Sequence, residues 1–295
     1  DFKIDNTPME GEMFDFQRFA AYGEKGVLLL LSDSTNVERP GYTPSEREVG
    51  PHLEQIIQNS SGKVLVSTFS SSIPRIQQVI DISERCDRRV VLSGRSMIRN
   101  SQVAADLGYL HLPRDFMTES ERWADLPADR LTFLTTGSQG EPLSALHRIA
   151  LDDHKTIKVV AGDTVILSSK FIPGNEKTIS NLINHLYRRG ATVHYEKVSE
   201  IHVSGHASQE ELKTMVQLTR PRYFVPIHGE YRHLVRHRRL AQDVGLPQEN
   251  CFILEDGDVL ELTAKSAQKV KPIQVGRVFV DGKGVGDVGD MVIRD

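Results

Sequence analysis

Cysteine is nearly absent from this sequence: Cys86 and Cys251 are the only two in 295 residues, and they stand far apart. That excludes a disulfide framework and matches no metal-binding spacing, so two buried thiols in a reducing, cytoplasmic setting are the simpler reading. No apolar run approaches the ~18 residues that a membrane-spanning helix needs. The longest, such as residues 27–31, have the length of a strand. There is one tryptophan, Trp123, which reads as core rather than as a platform for stacking bases. An excess of positive charge is also missing, since 36 Lys and Arg face 40 Asp and Glu for a net charge of -4. The chain is therefore not coated in positive charge. A local basic channel for a polyanion remains open, because phosphate contacts depend on the local field and not on the total. Basic clusters at 85–89, 188–189 and 232–239 each read first as a solvated helix face.

What is present describes a globular chain of about two domains, 39% hydrophobic and 26% charged, with no repeat and no low-complexity segment. Apolar runs alternate with amphipathic stretches. Strands are expected at 27–32 (buried), 64–68, 90–92, 131–135, 164–167, 193–195 and 223–227. Helices are expected at 45–59, 74–83, around 101–108, 143–149, 178–189, 209–218 and 232–244. Ser45 reads as an N-cap ahead of Glu46 and Glu48, and Gly190 and Gly245 read as helix stops. Such alternation implies α/β architecture with largely parallel sheets. Residues 264–271 are polar and aperiodic. They read as a boundary before a short β-rich tail punctuated by glycines at 282, 284, 286 and 289.

Two short words carry the chemistry. Ile201-His202-Val203-Ser204-Gly205-His206-Ala207 and Pro226-Ile227-His228-Gly229-Glu230 each run from apolar residues into a histidine beside glycine. Glycine lets the backbone turn where a β-branched run stops, leaving the imidazole at a strand's end. Histidine is the commonest metal ligand and the commonest acid or base near neutral pH. The bland alternative, a histidine satisfied by ordinary hydrogen bonds, weighs equally for either word alone. Asp33 ends the run Val27 to Ser32 at a strand's carboxyl end, where ligands of α/β sheets collect. The alternative for Asp33-Ser34-Thr35-Asn36 is a turn that satisfies its own backbone. Gly137-Ser138-Gln139-Gly140, Ser204-Gly205 with Ser208, and Ser93-Gly94-Arg95-Ser96 offer small residues, hydroxyls and one guanidinium to phosphates. The alternative for each is ordinary loop chemistry.

Together with Asp1-Phe2-Lys3-Ile4-Asp5, Leu31-Ser32-Asp33-Ser34-Thr35-Asn36, Thr136-Gly137-Ser138-Gln139-Gly140-Glu141-Pro142 and the tail Val280-Asp281-Gly282-Lys283-Gly284, these words resemble the ribonuclease J family. That family consists of metallo-β-lactamase nucleases with an inserted β-CASP domain. The resemblance implies a metallo-β-lactamase αββα core over 1–40 and 201–263, a β-CASP α/β domain over 45–200 and a linker over 264–295. It implies a metal-dependent ribonuclease with 5′→3′ exonuclease and endonuclease activity in RNA maturation and decay. The metals would be two divalent ions, zinc with manganese or magnesium as alternatives. The partners would be RNA, preferably 5′-monophosphorylated, and further copies in a dimer or tetramer, with no membrane. Asp1 matches the bridging metal ligand and His228 a late ligand. Asp33 matches an acidic residue bonded to His206, which would protonate the leaving 3′ oxygen. Arg95, Ser96, Ser138, Gln139, Ser204, Gly205 and Ser208 match places for RNA phosphates. The family's His-x-His-x-Asp-His motif is absent, so the chain is expected to be the C-terminal part of a longer protein and inactive alone. The alternatives are a β-CASP nuclease acting on other nucleic acid, and an RNA-binding or assembly fragment without a complete catalytic site.

Overall fold

The structure is a computed structural model, and it describes every residue except 10, 12, 119–122, 197, 200, 277–279, 282–283 and 286–295. In chain order its elements are α1 (Phe16–Lys25), β1 (Leu29–Asp33), α2 (Val49–Gln58), β2 (Val64–Ser67), α3 (Ile73–Arg85), β3 (Arg89–Ser93) and α4 (Arg95–Asp106). There follow β4 (Met117–Thr118), β5 (Leu131–Thr135), α5 (Ala145–Ala150), β6 (Thr164–Leu167), α6 (Glu176–Arg188) and β7 (Thr192–His194). The last are α7 (Gln209–Thr219), β8 (Tyr223–Ile227), α8 (Tyr231–Asp243), β9 (Val259–Leu262), β10 (Ala267–Val270), β11 (Val280–Asp281) and β12 (Gly284–Val285). The chain divides into two compact units. One holds residues 1–2, 16–42 and 206–295, the other 3–15 and 43–205. Residues 3–15 thus join the unit of the long insertion rather than the rest of the expected 1–40 segment. Ile4 is buried there, and the Asp5 carboxylate accepts from Ser45 Oγ and from the Glu46 amide, both at 3.1 Å.

The larger unit is a six-stranded parallel sheet in the order β4-β3-β5-β2-β6-β7. Successive strand residues point to opposite faces, so a parallel strand covered on both sides reads as a continuous apolar run. Leu65, Phe133, Val165 and Leu167 pack on one face with Leu146 and Ile149 of α5 and Ile179, Leu182 and Leu186 of α6. Val64, Val66, Leu134 and Ile166 pack on the other with Leu53 and Ile57 of α2, Ile76 and Ile80 of α3 and Met97 of α4. Trp123 lies in the first of these layers, its ring edge-on to Phe133 at 5.0 Å. The helix over 45–59 divides into a 3-10 turn, Glu46–Glu48, and α2. It begins at a capping box in which the Ser45 amide donates to Glu48 Oε1 at 2.9 Å. The helices leaving β2 and β5 lie on opposite faces, so the winding reverses between these neighbouring strands, the switch point at whose carboxyl side α/β sheets generally bind ligands.

The smaller unit pairs β1 with β8 in parallel and packs α1, α7 and α8 with them. Leu31 is 54% exposed, so β1 is not the fully buried strand its composition suggests. Its one ladder partner among the described residues is β8. Helix α1 is absent from the sequence reading because Gly23 sits in its interior. A Cβ there would strike the Leu218 carbonyl, so the glycine marks a close crossing over α7 and not a helix break. Residues 264–271 also differ from expectation. Thr263 Oγ1 accepts from the Lys265 and Ser266 amides and closes a turn that pairs β9 with β10. Of the tail glycines, 282, 286 and 289 lie outside the described residues. No helix among the described residues is long and apolar enough to cross a membrane.

Candidate metal centre and active site

Four residues of the smaller unit converge. Asp1, Asp33, His206 and His228 each present one ligand-type atom, and these atoms lie within 4.8 Å of one another. The parallel register sets Asp33 opposite Ile227, so two neighbouring strand ends deliver Asp33 and His228 side by side. His228 leaves its strand with φ 57°, a left-handed conformation that costs a non-glycine residue on the order of 1–2 kcal/mol. Gly229 follows because a Cβ there would meet His233 Cβ at 2.9 Å and Ser34 Cβ at 3.3 Å. His206 arrives differently from the expectation of a strand end. Residues 201–208 form no strand, because the Ile201 carbonyl accepts from the Arg75 guanidinium at 2.8 Å and the Ser168 hydroxyl at 2.6 Å instead of from a neighbouring strand. His206 lies in the loop before α7, where its carbonyl accepts from Asn36 Nδ2 at 2.8 Å.

The two oxygens of Asp33 divide the work. Oδ2 accepts from His206 Nδ1 at 2.6 Å. Oδ1 accepts from the Thr35 amide at 2.9 Å and from its hydroxyl at 2.7 Å, and lies 3.2 Å from His228 Nδ1. The turn reading and the histidine partnership of Asp33 therefore hold together, one on each oxygen. Asp33 is 3% exposed. Burial alone would raise its pKa, but the bonds from His206 and then from Thr35 outweigh that and hold it well below the usual carboxylate range. The carboxylate is thus ionised, and its bond to Nδ1 fixes the orientation of the His206 ring. His228 Nδ1 also faces Asp1 Oδ1 at 3.1 Å and Thr35 Oγ1 at 3.0 Å. The rings of His206 and His228 lie 5.3 Å apart, centroid to centroid. Two carboxylates and two imidazoles form a mixed oxygen and nitrogen donor set of the kind that suits a divalent metal.

The expected phosphate-binding residues do not share one character. In the larger unit Arg95 and Ser96 are exposed at the start of α4, and Gly205 is exposed. Ser138 (1% exposed), Gln139 (3%) and Ser204 (6%) are buried. The Gln139 amide is committed internally: Nε2 donates to Ser169 Oγ at 3.0 Å and the Lys170 carbonyl at 2.9 Å, while Oε1 accepts from the Ile172 amide at 2.9 Å. It holds 169–172 in place instead of offering itself to solvent. In the smaller unit Ser208 is also buried and caps α7, its amide donating to Glu211 Oε2 at 2.9 Å. Thr35 is foreseen in the sequence only as a turn former, and His237 not at all as a site residue. His237 was grouped with a solvated basic face, but it is fully buried, with Nδ1 2.9 Å from Ser34 Oγ.

Burial pushes the His237 imidazole down from 6.5 to about 4, against the opposite pull of the Asp33 charge. Between those values the unfolded chain binds a proton that the folded one refuses. The neutral ring's contribution is therefore full above about pH 6.5 and is lost as pH falls towards about 4, on the order of 3 kcal/mol at most. Denaturant unfolding of the parent and His237→Phe across this window should show a steeper loss in the parent. Parallel curves would mean that another group carries the acid sensitivity.

Residues 61–186 match the family model for the ribonuclease J β-CASP domain. Residues 190–254 match that for the Zn-dependent metallo-hydrolase RNA specificity domain. All of the chain aligns with ribonuclease J of Thermus thermophilus at 46% identity, covering 51% of that protein. It aligns with ribonuclease J of Synechocystis at 47% identity over 294 residues, covering 46%. The chain belongs to the ribonuclease J family. With ribonuclease J2 of Bacillus subtilis the identity is 40% over 295 residues, covering 53% of that relative. The chain spans about half the length of the curated ribonuclease J proteins it matches.

Proposed function

We propose that this chain contributes the Asp33–His206 pair and the ligands Asp1 and His228 to a metal-dependent ribonuclease that hydrolyses RNA phosphodiesters, as a 5′→3′ exonuclease and an endonuclease. The observation that carries this reading is the meeting of four acidic and imidazole side chains within 4.8 Å, in a chain of this family. Asp1 and His228 would hold metal, zinc by the family's description and in a pair by the demands of the chemistry. Metal ions so held lower the pKa of water and neutralise charge on the phosphate. The remaining work falls to side chains. His206, fixed by Asp33, gives a proton from Nε2 to the leaving 3′ oxygen. Asp33 stays ionised, so it supports the protonated ring without competing for its proton.

In the larger unit, Arg95 and Ser96 are the side chains placed to take RNA phosphates, a 5′-monophosphate among them. Ser138, Gln139, Ser204 and Ser208 serve by shaping the loops that carry them. The test is the salt dependence of binding. In the full-length protein Arg95→Ala should weaken binding of a single-stranded 5′-monophosphorylated RNA. The slope of log affinity against log salt should become shallower by about 0.7, the share of one phosphate contact. An unchanged slope would make Arg95 structural. The alternative of an RNA-binding fragment predicts the same slope change in a protein that cleaves nothing.

A further inference from the structure

We infer that His237 is a positioning residue for this centre, acting through Ser34 to hold Asp33 and Thr35 in the arrangement that orients His206 and His228. The inference rests on the function proposed above. Its starting point is an anomaly of helix α8, whose buried face consists of Leu234, His237, Leu240 and Ala241. An apolar side chain would fill the middle of that face at no polar cost. His237 instead brings two nitrogens into a fully buried place, and Nε2 finds no hydrogen-bond partner among the described residues. Leaving a buried polar atom unpaired is unfavourable, so packing alone does not explain a histidine here.

What the ring gains in exchange is one hydrogen bond among the described residues. Its Nδ1 lies 2.9 Å from the hydroxyl of Ser34, which is itself fully buried. Ser34 is the residue between Asp33 and Thr35. Its backbone sets whether the Thr35 amide and hydroxyl reach Asp33 Oδ1, as both do, and whether Asp33 Oδ2 faces His206. Ser34 also stands against Gly229, where a Cβ would come within 3.3 Å of its own. The serine is therefore gripped between the residue after His228 and the imidazole of α8. The ring is steadied in turn by Phe224 of β8, edge-on at 4.9 Å. A chain of contacts thus runs from α8 through Ser34 to both histidines of the centre. His237 touches neither His206 nor His228 in this arrangement. Its part is to remove the freedom of the loop that does, as partners behind the ligands do in metal sites generally.

The test uses the full-length protein with Ser34→Ala, His237→Phe, the double variant and His237→Gln. Single-turnover cleavage of a 5′-monophosphorylated RNA, affinity for that RNA, and hydrogen exchange at the Thr35 amide in the metal-free protein are measured for each. Ser34→Ala and His237→Phe should each slow cleavage about ten- to a hundredfold with RNA affinity unchanged, and should speed exchange at Thr35. The double variant should be no slower than the slower single one, because both changes cut the same link. Glutamine, which can still bond the serine, should recover most of the rate. Parent-like rates and Thr35 exchange in the single variants would overturn the inference. So would losses that multiply in the double variant. If His237→Phe fails to fold, Ser34→Ala and His237→Gln decide on the same readouts. His206→Ala and His228→Ala run alongside: if these too cleave at the parent's rate, the functional reading fails, whereas their loss with an unaffected His237→Phe sinks only the present inference.

Discussion

Replacing His206 with alanine in the full-length protein is expected to slow single-turnover RNA cleavage by ~10²–10⁴-fold, the usual worth of a general acid, while fold and metal content are kept. The expectation follows from how His206 is held. Its Nδ1 is committed to Asp33 at 2.6 Å, so the ring is an orienter's client rather than an open ligand. His228 differs: its Nδ1 faces two carboxylates, at 3.1 and 3.2 Å, where a bound cation would replace its proton. His228→Ala should therefore lose metal and activity together. Asp33→Asn should resemble His206→Ala more than His228→Ala, because the amide can no longer support a protonated ring. The contrast carries the assignment. A His206→Ala protein stripped of metal would make His206 a ligand, and one cleaving at the parent's rate would make it scaffold.

Arg75→Ala should destabilise the larger unit by about 3–5 kcal/mol, the range for removing one member of a buried ion pair. Arg75 is 2% exposed, and its guanidinium bonds Glu46, Ser168 and the Ile201 carbonyl. Truncation leaves Glu46 facing a void where its cation stood. The Glu46 side chain is 25% exposed and can recover some hydration, which places the effect toward the lower end. Ile201 keeps the Ser168 hydroxyl as a donor, so the segment loosens rather than detaches. Denaturant unfolding of the variant beside Arg75→Met with Glu46→Gln separates lost packing from a stranded charge. A loss below about 1 kcal/mol in Arg75→Ala would mean that the pair is hydrated in solution.

The fold was legible in the sequence where local rules decide. Apolar runs such as residues 64–66 and 165–167 reflect burial on both faces of a parallel sheet, and the helix ahead of which Ser45 stands begins at its own capping box. The centre was partly legible for the same reason. Asp33 and His228 sit at strand ends beside turn residues, and that placement is written within five residues of each. Long-range geometry was not legible. The run leading to His206 reads as the end of a strand, but the Ile201 carbonyl is claimed by Arg75, 126 residues earlier in the chain. Gln139 looks like a phosphate binder until its bonds to Ser169 and Lys170 are seen, and Ser208 until it is found buried as the cap of α7. His237 hid inside a basic run, although its spacing from Leu234, Leu240 and Ala241 places it on the apolar stripe of α8. Thr35 was visible only as a turn former, because its second role needs a histidine 193 residues away.

The central claim is that His228 and Asp1 hold metal while Asp33 and His206 form a separate proton-transfer pair beside it. The most direct measurement is an anomalous difference map at the zinc edge from crystals of the full-length protein. The account predicts a peak bonded by Asp1 and His228, with the His206 Nδ1–Asp33 hydrogen bond intact. A peak that takes His206 Nδ1 as a ligand in place of that bond, or the absence of any peak at Asp1 and His228 in zinc-loaded crystals, would contradict it.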